Sequence, residues 1–264
     1  MSLAIIYTRA MLGIQAPSVS VEVHISNGLP GFTLVGLAET TVKEARDRVR
    51  SALINSGFSF PTKRITVNLA PADLPKEGGR YDLPIAIAIL AASEQIPNNK
   101  LRHYEFIGEL ALSGTLRYIH GAIPAALICV KAQRQLILPV ANSAEMALIP
   151  QGQVLISKHL LEVCAFLQGK KELPSIISNN DHNAHKNQHQ QNNHADLQDI
   201  IGQQQAKRVL EIAAAGGHNL LLLGPPGTGK TMLANRLISL LPLLTNEEAL
   251  ETAAIPVCYI IMII

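Results

Sequence analysis

The sequence predicts an α/β (α+β) protein made of two domains joined by a polar linker. Segments with strand-like alternation interleave with helix-like patterns throughout residues 1–172. Residues 173–196 consist largely of Ser, Asn, Gln and His, which bury too little apolar surface to offset the entropy lost on ordering. Residues 197–264 begin with an amphipathic helical pattern, followed by an apolar run and a glycine-rich loop.

The strands of the first domain are predicted from alternating or continuous apolar runs bounded by turn residues. Val19, Val21, Val23 and Ile25 alternate with polar neighbours, as in a half-buried strand. The turn residues 27–31 follow, and we interpret Phe32–Val35 as the strand that returns from this turn. The other predicted strands are Arg64–Leu69, Phe106–Leu112 with a break at Gly108, and Gln135–Leu138.

The helices of this domain are predicted from apolar spacing and from capping residues. Thr41 and Glu44 form a capping box. The helix that this box opens is predicted to bury Val42, Ala45, Val49, Ala52 and Leu53, and to end before Gly57. The other predicted helices are Leu83–Ala92, Pro124–Gln133 with proline in the first turn, and Lys158–Leu167.

Charge alone does not decide whether the first domain contacts nucleic acid. The first helix carries Lys43, Arg46, Arg48 and Arg50 beside two acidic residues. These cations favour a solvent-exposed face with internal ion pairs, while several cations on one side could also contact phosphates. The formal net charge of +2 leaves both interpretations open.

Composition predicts a cytoplasmic protein with no membrane partner. Apolar residues make up 48% of the chain and charged residues 16%, which is enough apolar material for a buried core. The three cysteines are far apart and form no C-x-x-C pair, as is usual in a reducing compartment. We find neither a signal peptide nor an apolar run long enough to span a bilayer. The histidines of the linker lack fixed partners, so no metal site is predicted there.

A phosphate-binding loop is predicted at the start of the second domain. Gln203–Ala215 is predicted to be a helix with its apolar stripe at Ala206, Val209, Leu210 and Ala213, and Asn219–Leu223 a buried parallel strand. Met232–Leu241 is predicted to be the helix after the loop. The loop matches G-x-x-x-x-G-K-[ST] at every fixed position, and its residues are Gly224, Pro225, Pro226, Gly227, Thr228, Gly229, Lys230 and Thr231.

Each part of this motif has a role in binding ATP with Mg²⁺. The glycines allow backbone conformations that turn successive N–H groups towards a phosphate. Lys230 would bring its ammonium group to the β and γ phosphates, and Thr231 would offer its hydroxyl to Mg²⁺. Hydrolysis also needs an acidic residue on a second strand. The nearest candidates, Glu247, Glu248 and Glu251, fall in a predicted helix, so no catalytic residue is assigned.

Longer stretches of the chain resemble one family. Residues 28–53, 67–93 and 108–127, together with 199–234, are similar to the YifB/ComM family of Mg-chelatase-like AAA+ proteins. The resemblance implies a ribosomal S5 domain 2-like (Lon-protease-like) amino-terminal domain, followed by the start of a P-loop AAA+ domain. It also implies a hexameric ring that drives DNA branch migration during natural transformation. Ile201 and Gly202 match positions that contact adenine in AAA+ proteins.

The shared fold with Lon raises the question of proteolysis, which the residues argue against. Lon-type proteases use a Ser–Lys pair. Arg80 lies near the place of that serine, and the helix that should carry the lysine, His120–Leu127, has none. Ser113 and Lys131 lie outside the matching segments. We therefore expect no protease activity.

The last residues differ from the family pattern. The run Ile255–Ile264 is almost wholly apolar, and it suggests a truncated protein that binds ATP without completing hydrolysis and without forming the ring. An alternative is a non-catalytic module that binds DNA or a protein through the first domain. Insertion of Mg²⁺ into a porphyrin has only the family name in its favour.

Overall fold

The structure is a computed structural model that describes residues 2–36, 44–149, 152–176, 196–242, 244–245, 248–249 and 252. Two compact units are described one at a time. Unit 1 includes the described residues up to 176, and unit 2 includes those from 196 to 245. The predictions for Thr41, Val42, most of the linker and the apolar tail fall outside the described residues.

Unit 1 is built on one mixed, mostly parallel seven-stranded sheet in the order β3-β4-β2-β1-β5-β8-β9. The pairs β3–β4, β1–β5, β5–β8 and β8–β9 are parallel, while β1–β2 and β2–β4 are antiparallel. The strands of this sheet are β1 Ser2–Arg9, β2 Ser18–Ser26, β3 Gly31–Val35, β4 Arg64–Ala70, β5 Tyr104–Phe106, β8 Gln135–Pro139 and β9 Val154–Ser157. A separate antiparallel pair consists of β6 Glu109–Leu110 and β7 Leu116–Arg117.

The described residues of unit 1 also form four α-helices. They are α1 Ala45–Asn55, α2 Asp82–Ala92, α3 Ala122–Lys131 and α4 Leu160–Leu167. Short 3-10 turns occur at Gly79–Tyr81, Leu101–His103 and Val140–Leu148. None of the helices in the described parts of the chain has the length and apolar character to cross a bilayer.

The main core forms where the apolar faces of the central strands meet α2. Alternation in β2 buries Val19, Val21, Val23 and Ile25, as predicted. Every residue of α2 is buried, because the helix packs on β1 and β2 and is covered by α1. Each fully buried aliphatic side chain of this kind contributes about 1.5–3 kcal/mol. The predicted burial of α1 at Ala45, Val49, Ala52 and Leu53 is also confirmed.

Pairing across the sheet corrects one sequence prediction and confirms another. Phe32–Val35 does form a strand, but its interpretation as a hairpin partner of β2 is wrong. The strand β4 lies between β2 and β3 in the sheet, so β3 pairs with β4 and not with β2. The predicted break at Gly108 is confirmed, because β5 ends at Phe106 and β6, in the separate pair, begins at Glu109. There the Gly108 N–H donates to the Arg80 carbonyl oxygen, which interrupts the ladder.

The described residues of unit 2 form two α-helices that pack on a small apolar cluster. They are α5 Gln204–Gly216 and α6 Lys230–Leu240, close to the predicted bounds. The cluster is formed by Leu197, Ile200, Leu210 and Leu233. Of the predicted stripe on α5, Leu210 and Ala213 are buried, but Val209 is 45% exposed.

The prediction of a buried strand at Asn219–Leu223 is wrong for this structure. The segment forms no strand, and Leu221 and Leu223 are 76% and 83% exposed. A buried parallel strand needs a hydrogen-bonded neighbour on each side. Within the described part of unit 2 no strand pairs with it, so its apolar side chains gain little burial.

Candidate nucleotide-binding site

The motif of unit 2 forms a loop that leads directly into α6. Gly229 is the N-cap residue of this helix, with φ of 80°, and Gly227 has φ of 82°. A Cβ atom at either position would meet no atom within 4 Å, so backbone conformation and not space demands glycine there. At Gly224, a Cβ atom would come within 3.4 Å of the Thr228 hydroxyl oxygen.

The Lys230 side chain folds back across the loop that precedes it. Its Nζ donates to the carbonyl oxygens of Gly224 at 2.9 Å and Pro225 at 2.7 Å. The same Nζ lies 3.4 Å from Thr228 Oγ1, which donates to the Pro225 carbonyl oxygen at 2.9 Å. The ammonium group therefore ties the two ends of the loop together and places one positive charge beside the helix start.

The first turn of α6 adds donors to this positive charge. Lys230 and Thr231 occupy the first two helical positions, where backbone N–H groups have no carbonyl one turn earlier to bond. The helix dipole places further partial positive charge at the same end. Thr231 is exposed, so its hydroxyl is accessible to a ligand. A lysine, free amides and a helix N-terminus together form a chemical environment that suits phosphate oxygens.

Ile201 and Gly202 are the two residues that match adenine-contacting positions of AAA+ proteins. They lie near the loop because the next residue, Gln203, is hydrogen-bonded to it. Ile201 is 97% exposed and Gly202 has φ of 74°. Gln203, the next residue, donates from Nε2 to the Thr228 carbonyl oxygen at 3.4 Å. The structure thus brings the segment 201–203 to the loop, although Gln203 itself was not identified from the sequence.

An arginine on α6 holds the start of unit 2 against the same helix. Arg236 donates from Nε to the Asp196 carbonyl oxygen at 3.3 Å, and its Nη2 lies 3.7 Å from Asp199 Oδ2. Because the segment 201–203 follows directly, this pairing contributes to its position beside the loop. Neither partner belongs to the loop motif, so spacing in the sequence gave no sign of the contact.

The cations of α1 are mostly engaged within unit 1. Arg48 forms two hydrogen bonds with Asp82, at 2.7 and 3.0 Å. The guanidinium of Arg50 lies over the Phe60 ring, 5.5 Å from its centre. Arg46 is half exposed and lies 3.8 Å from Asp47, and Lys43 falls outside the described residues. These contacts favour the solvent-exposed face with ion pairs over a contact with phosphates.

The described residues hold no group of three or more His, Cys, Asp or Glu side chains arranged to bind a metal ion. Mg²⁺ that accompanies a nucleotide usually retains several waters and takes few ligands from the protein, so it does not require such a group.

Family models match both units of the chain. The model described as subunit ChlI of Mg-chelatase matches residues 21–142. A second model, described as magnesium chelatase, subunit ChlI, matches residues 196–260, a range that includes the whole loop. The two matches leave out most of the polar linker between the units.

Several curated proteins are similar to almost the whole chain. The uncharacterized protein YifB of Escherichia coli is 62% identical over 97% of this chain and 49% of its own length. The competence protein ComM of Haemophilus influenzae is 58% identical over 97% of this chain and 50% of its own length. An uncharacterized protein of Mycobacterium tuberculosis is 40% identical over 97% of this chain and 50% of its own length. The chain spans about half the length of these relatives.

Proposed function

Since the chain belongs to the YifB/ComM family of Mg-chelatase-like proteins, we propose that it binds ATP through the loop formed by residues 224–231. Lys230 contacts the β and γ phosphates, and the backbone amides at the start of α6 surround them. We propose no step of ATP hydrolysis at this loop, because no described residue is assigned to the activation of water.

The observation that carries this proposal is the position of the Lys230 ammonium group. Its three oxygen partners belong to the loop itself, two of them backbone carbonyls. The phosphate oxygens of ATP are negatively charged, so they bind an ammonium group more strongly than a neutral carbonyl oxygen does. The phosphates of ATP would therefore replace the carbonyl oxygens of Gly224 and Pro225 as partners of Lys230. The lysine would not need to leave the loop, and the first amides of α6 lie beside it.

The remaining parts of the site follow from the same placement. Thr231, at the second position of α6, offers its hydroxyl to the Mg²⁺ that accompanies ATP. When bound, Mg²⁺ neutralises part of the charge on the β and γ phosphates. Ile201 provides an apolar surface for adenine, and Gly202 leaves room for the base to approach. The hydrogen bond from Gln203 to the loop supports this assignment.

The larger role is a proposal for the full-length family members. One relative is named a competence protein, and we propose that DNA is a partner and that a hexameric ring carries out branch migration. For the chain itself, we propose two domains, at 1–172 and 197–264, with the segment 173–196 as a linker. We also propose that the first of these domains has the ribosomal S5 domain 2-like fold.

Titration with a fluorescent ATP analogue tests nucleotide binding directly. We expect the unaltered chain to bind the analogue in the presence of Mg²⁺. We expect Lys230→Ala to weaken binding by at least about tenfold, because a lost charge-assisted hydrogen bond is worth about 1.5–3 kcal/mol. Omitting Mg²⁺ should weaken binding by the unaltered chain, and Thr231→Ala should reduce that dependence on Mg²⁺.

A matched control separates the lysine's role from general charge effects. Arg208→Ala removes a cation whose side chain is 73% exposed on α5 and pairs with Glu211 at 3.0 Å. This variant should bind the analogue as the unaltered chain does. Equal affinity in Lys230→Ala and the unaltered chain, or an equal loss in Arg208→Ala, would argue against binding at the loop.

DNA binding needs its own measurement. Fluorescence anisotropy with single-stranded and branched DNA, at two salt concentrations, shows whether the chain contacts phosphates. Binding that weakens steeply with salt is expected for contacts to the DNA backbone. If the anisotropy stays constant with both kinds of DNA at the lower salt concentration, DNA is not a partner of this chain.

A further inference from the structure

Unit 1 contains a buried arginine that has no hydrogen-bond partner among the described residues. Arg80 is 5% exposed, and its three guanidinium nitrogens Nε, Nη1 and Nη2 bond to no acceptor in the described residues. A guanidinium group carries five N–H donors and is charged at any ordinary pH. Burying such a group without a partner costs several kcal/mol, so a buried arginine is expected to have an acceptor.

The other buried arginine of unit 1 shows how the same fold deals with this cost. Arg9 is 4% exposed, and both its Nε and its Nη2 donate to the Glu105 carboxylate, at 2.6 and 2.7 Å. Arg134 approaches the same carboxylate at 3.2 Å. Arg80 has no such carboxylate, although it is buried to the same degree.

Two buried or half-buried carboxylates beside the Arg80 turn bond to other groups. Asp82 bonds to Arg48 and accepts from the Leu110 N–H at 3.2 Å. Glu109 packs beside Gly79 and lies 3.4 Å from Arg117. Burial lowers the pKa of Arg80, and among the described groups only Tyr81 acts in the opposite direction. The guanidinium therefore gains no compensation from an acidic neighbour in this part of the chain.

The side chain of Arg80 points to the N-terminus of α3. Its Nη1 lies 3.7 Å from the position that a Cβ atom on Gly121 would occupy. Gly121 is the N-cap residue of this ten-residue helix, with φ of 72°, and no side chain caps the helix. Gly121 and Ala122 are buried, so the first amides of α3 are shielded from most of the solvent.

Two independent sources of positive potential therefore meet at one buried point. The first-turn amides of α3 have no carbonyl partner within the helix, and its dipole adds partial positive charge. Arg80 adds a full charge in a planar group that can donate two parallel hydrogen bonds to one oxyanion. Both features favour a negatively charged oxygen between the guanidinium and the helix.

We propose that Arg80 and the N-terminus of α3 form a binding site for a small oxyanion, namely a phosphate group, which we call the Arg80 site. The phosphate oxygens accept from the guanidinium and from the first amides of α3. Met11 covers this end of the helix, because its Sδ lies 2.7 Å from the Gly121 Cβ position. Its side chain is unbranched and only partly buried, so it can move aside without a change in the backbone.

The Arg80 site is separate from the loop of unit 2, and the test must keep the two apart. All proteins in the experiment therefore carry Lys230→Ala, which weakens phosphate binding at the loop. Inorganic phosphate is titrated by calorimetry at constant ionic strength. We expect measurable binding when Arg80 is present, and a loss of at least about tenfold in affinity in Arg80→Met.

A second measurement does not depend on how well a variant folds. In the protein that retains Arg80, the amide NMR signals of Gly121, Ala122 and Ile123 should shift as phosphate is added. The matched control Arg102→Met removes an exposed arginine of unit 1 and should leave phosphate affinity unchanged. If these signals do not shift, or if Arg102→Met loses as much affinity as Arg80→Met, inorganic phosphate does not bind at the Arg80 site.

The source of the phosphate group is settled by a second ligand. A short single-stranded oligonucleotide is titrated with and without a 5′-phosphate. Binding that requires both the 5′-phosphate and Arg80 would identify the end of a nucleic acid as the source. If neither inorganic phosphate nor the phosphorylated oligonucleotide binds in an Arg80-dependent way, the proposed site is wrong, whatever the result at the loop.

Discussion

Replacing Arg48 with methionine tests the contribution of a buried ion pair to the core of unit 1. Arg48 reaches from α1 to α2 and forms two hydrogen bonds with Asp82, which is fully buried. After the substitution, Asp82 would retain the bond from the Leu110 N–H at 3.2 Å. Methionine is similar in length to the aliphatic part of the removed side chain, so the substitution chiefly removes the charge and the hydrogen bonds.

The expected effect is large and depends on pH. Leaving one member of a buried pair without its partner costs about 3–5 kcal/mol, and we expect this loss at pH 8. Burial raises the pKa of Asp82 to about 6 even with Arg48 present. At pH 5 the carboxyl group of the folded protein is therefore mostly protonated and depends less on the arginine. The loss should be smaller there by about 1–3 kcal/mol.

Tyrosine fluorescence during urea unfolding gives a suitable measurement. The chain has no tryptophan and five tyrosines, of which Tyr7, Tyr81, Tyr104 and Tyr118 lie in unit 1. The signal therefore reports mainly on this unit. Free energies of unfolding are compared at pH 5 and pH 8 for the unaltered chain and for Arg48→Met.

A control on the same helix makes the result specific. Arg46→Met removes a side chain that is 52% exposed, and it should change the free energy of unfolding by less than about 0.5 kcal/mol. A loss below about 1 kcal/mol in Arg48→Met at pH 8, or a loss equal at both pH values, would refute this reasoning.

Two further predictions concern Asp82 and a close backbone approach. The pKa of Asp82 is about 6 in the folded protein against an ordinary value of 3.8, so this group should reduce stability by about 3 kcal/mol as pH rises from 4 to above 6. Asp82→Asn should remove that slope in urea unfolding, and an unchanged slope would contradict the prediction. Gly36 has φ of 101°, and its Cβ would lie 2.1 Å from the Leu69 carbonyl oxygen, whereas Gly57 has φ of 79° and open space. Gly36→Ala should therefore lower the free energy of unfolding by at least about 2 kcal/mol more than Gly57→Ala does. Equal midpoints of thermal unfolding in the two variants would contradict this prediction, because they would mean that the backbone at Leu69 moves away at little cost.

Local patterns predicted most elements of unit 1 but not their pairing. The alternation in β2 and the apolar run of α2 each mark an element within a few residues. The position of β4 between β2 and β3 depends on pairing between residues 33 to 50 positions apart in the chain, which no local period encodes. The strands β1 and β9 were missed because their sequences gave no alternation distinct enough from their surroundings.

In unit 2 the loop could be predicted because its chemistry fixes residue types at fixed spacing. The contacts that support it could not be predicted, since Gln203 and Thr228 are 25 positions apart and are brought together only by the fold. The predicted strand Asn219–Leu223 failed for a related reason. Its apolar composition favours a buried strand, but burial depends on neighbouring strands that pair with it.

The response of individual amides to ATP tests the central claim most directly. In NMR spectra of the unaltered chain, addition of ATP with Mg²⁺ should shift the amide signals of Gly227, Gly229, Lys230 and Thr231 and slow their hydrogen exchange. The same addition to Lys230→Ala should produce much smaller changes. If these amides stay unchanged in the unaltered chain, or if the changes fall elsewhere, the loop does not bind the nucleotide and the account is contradicted.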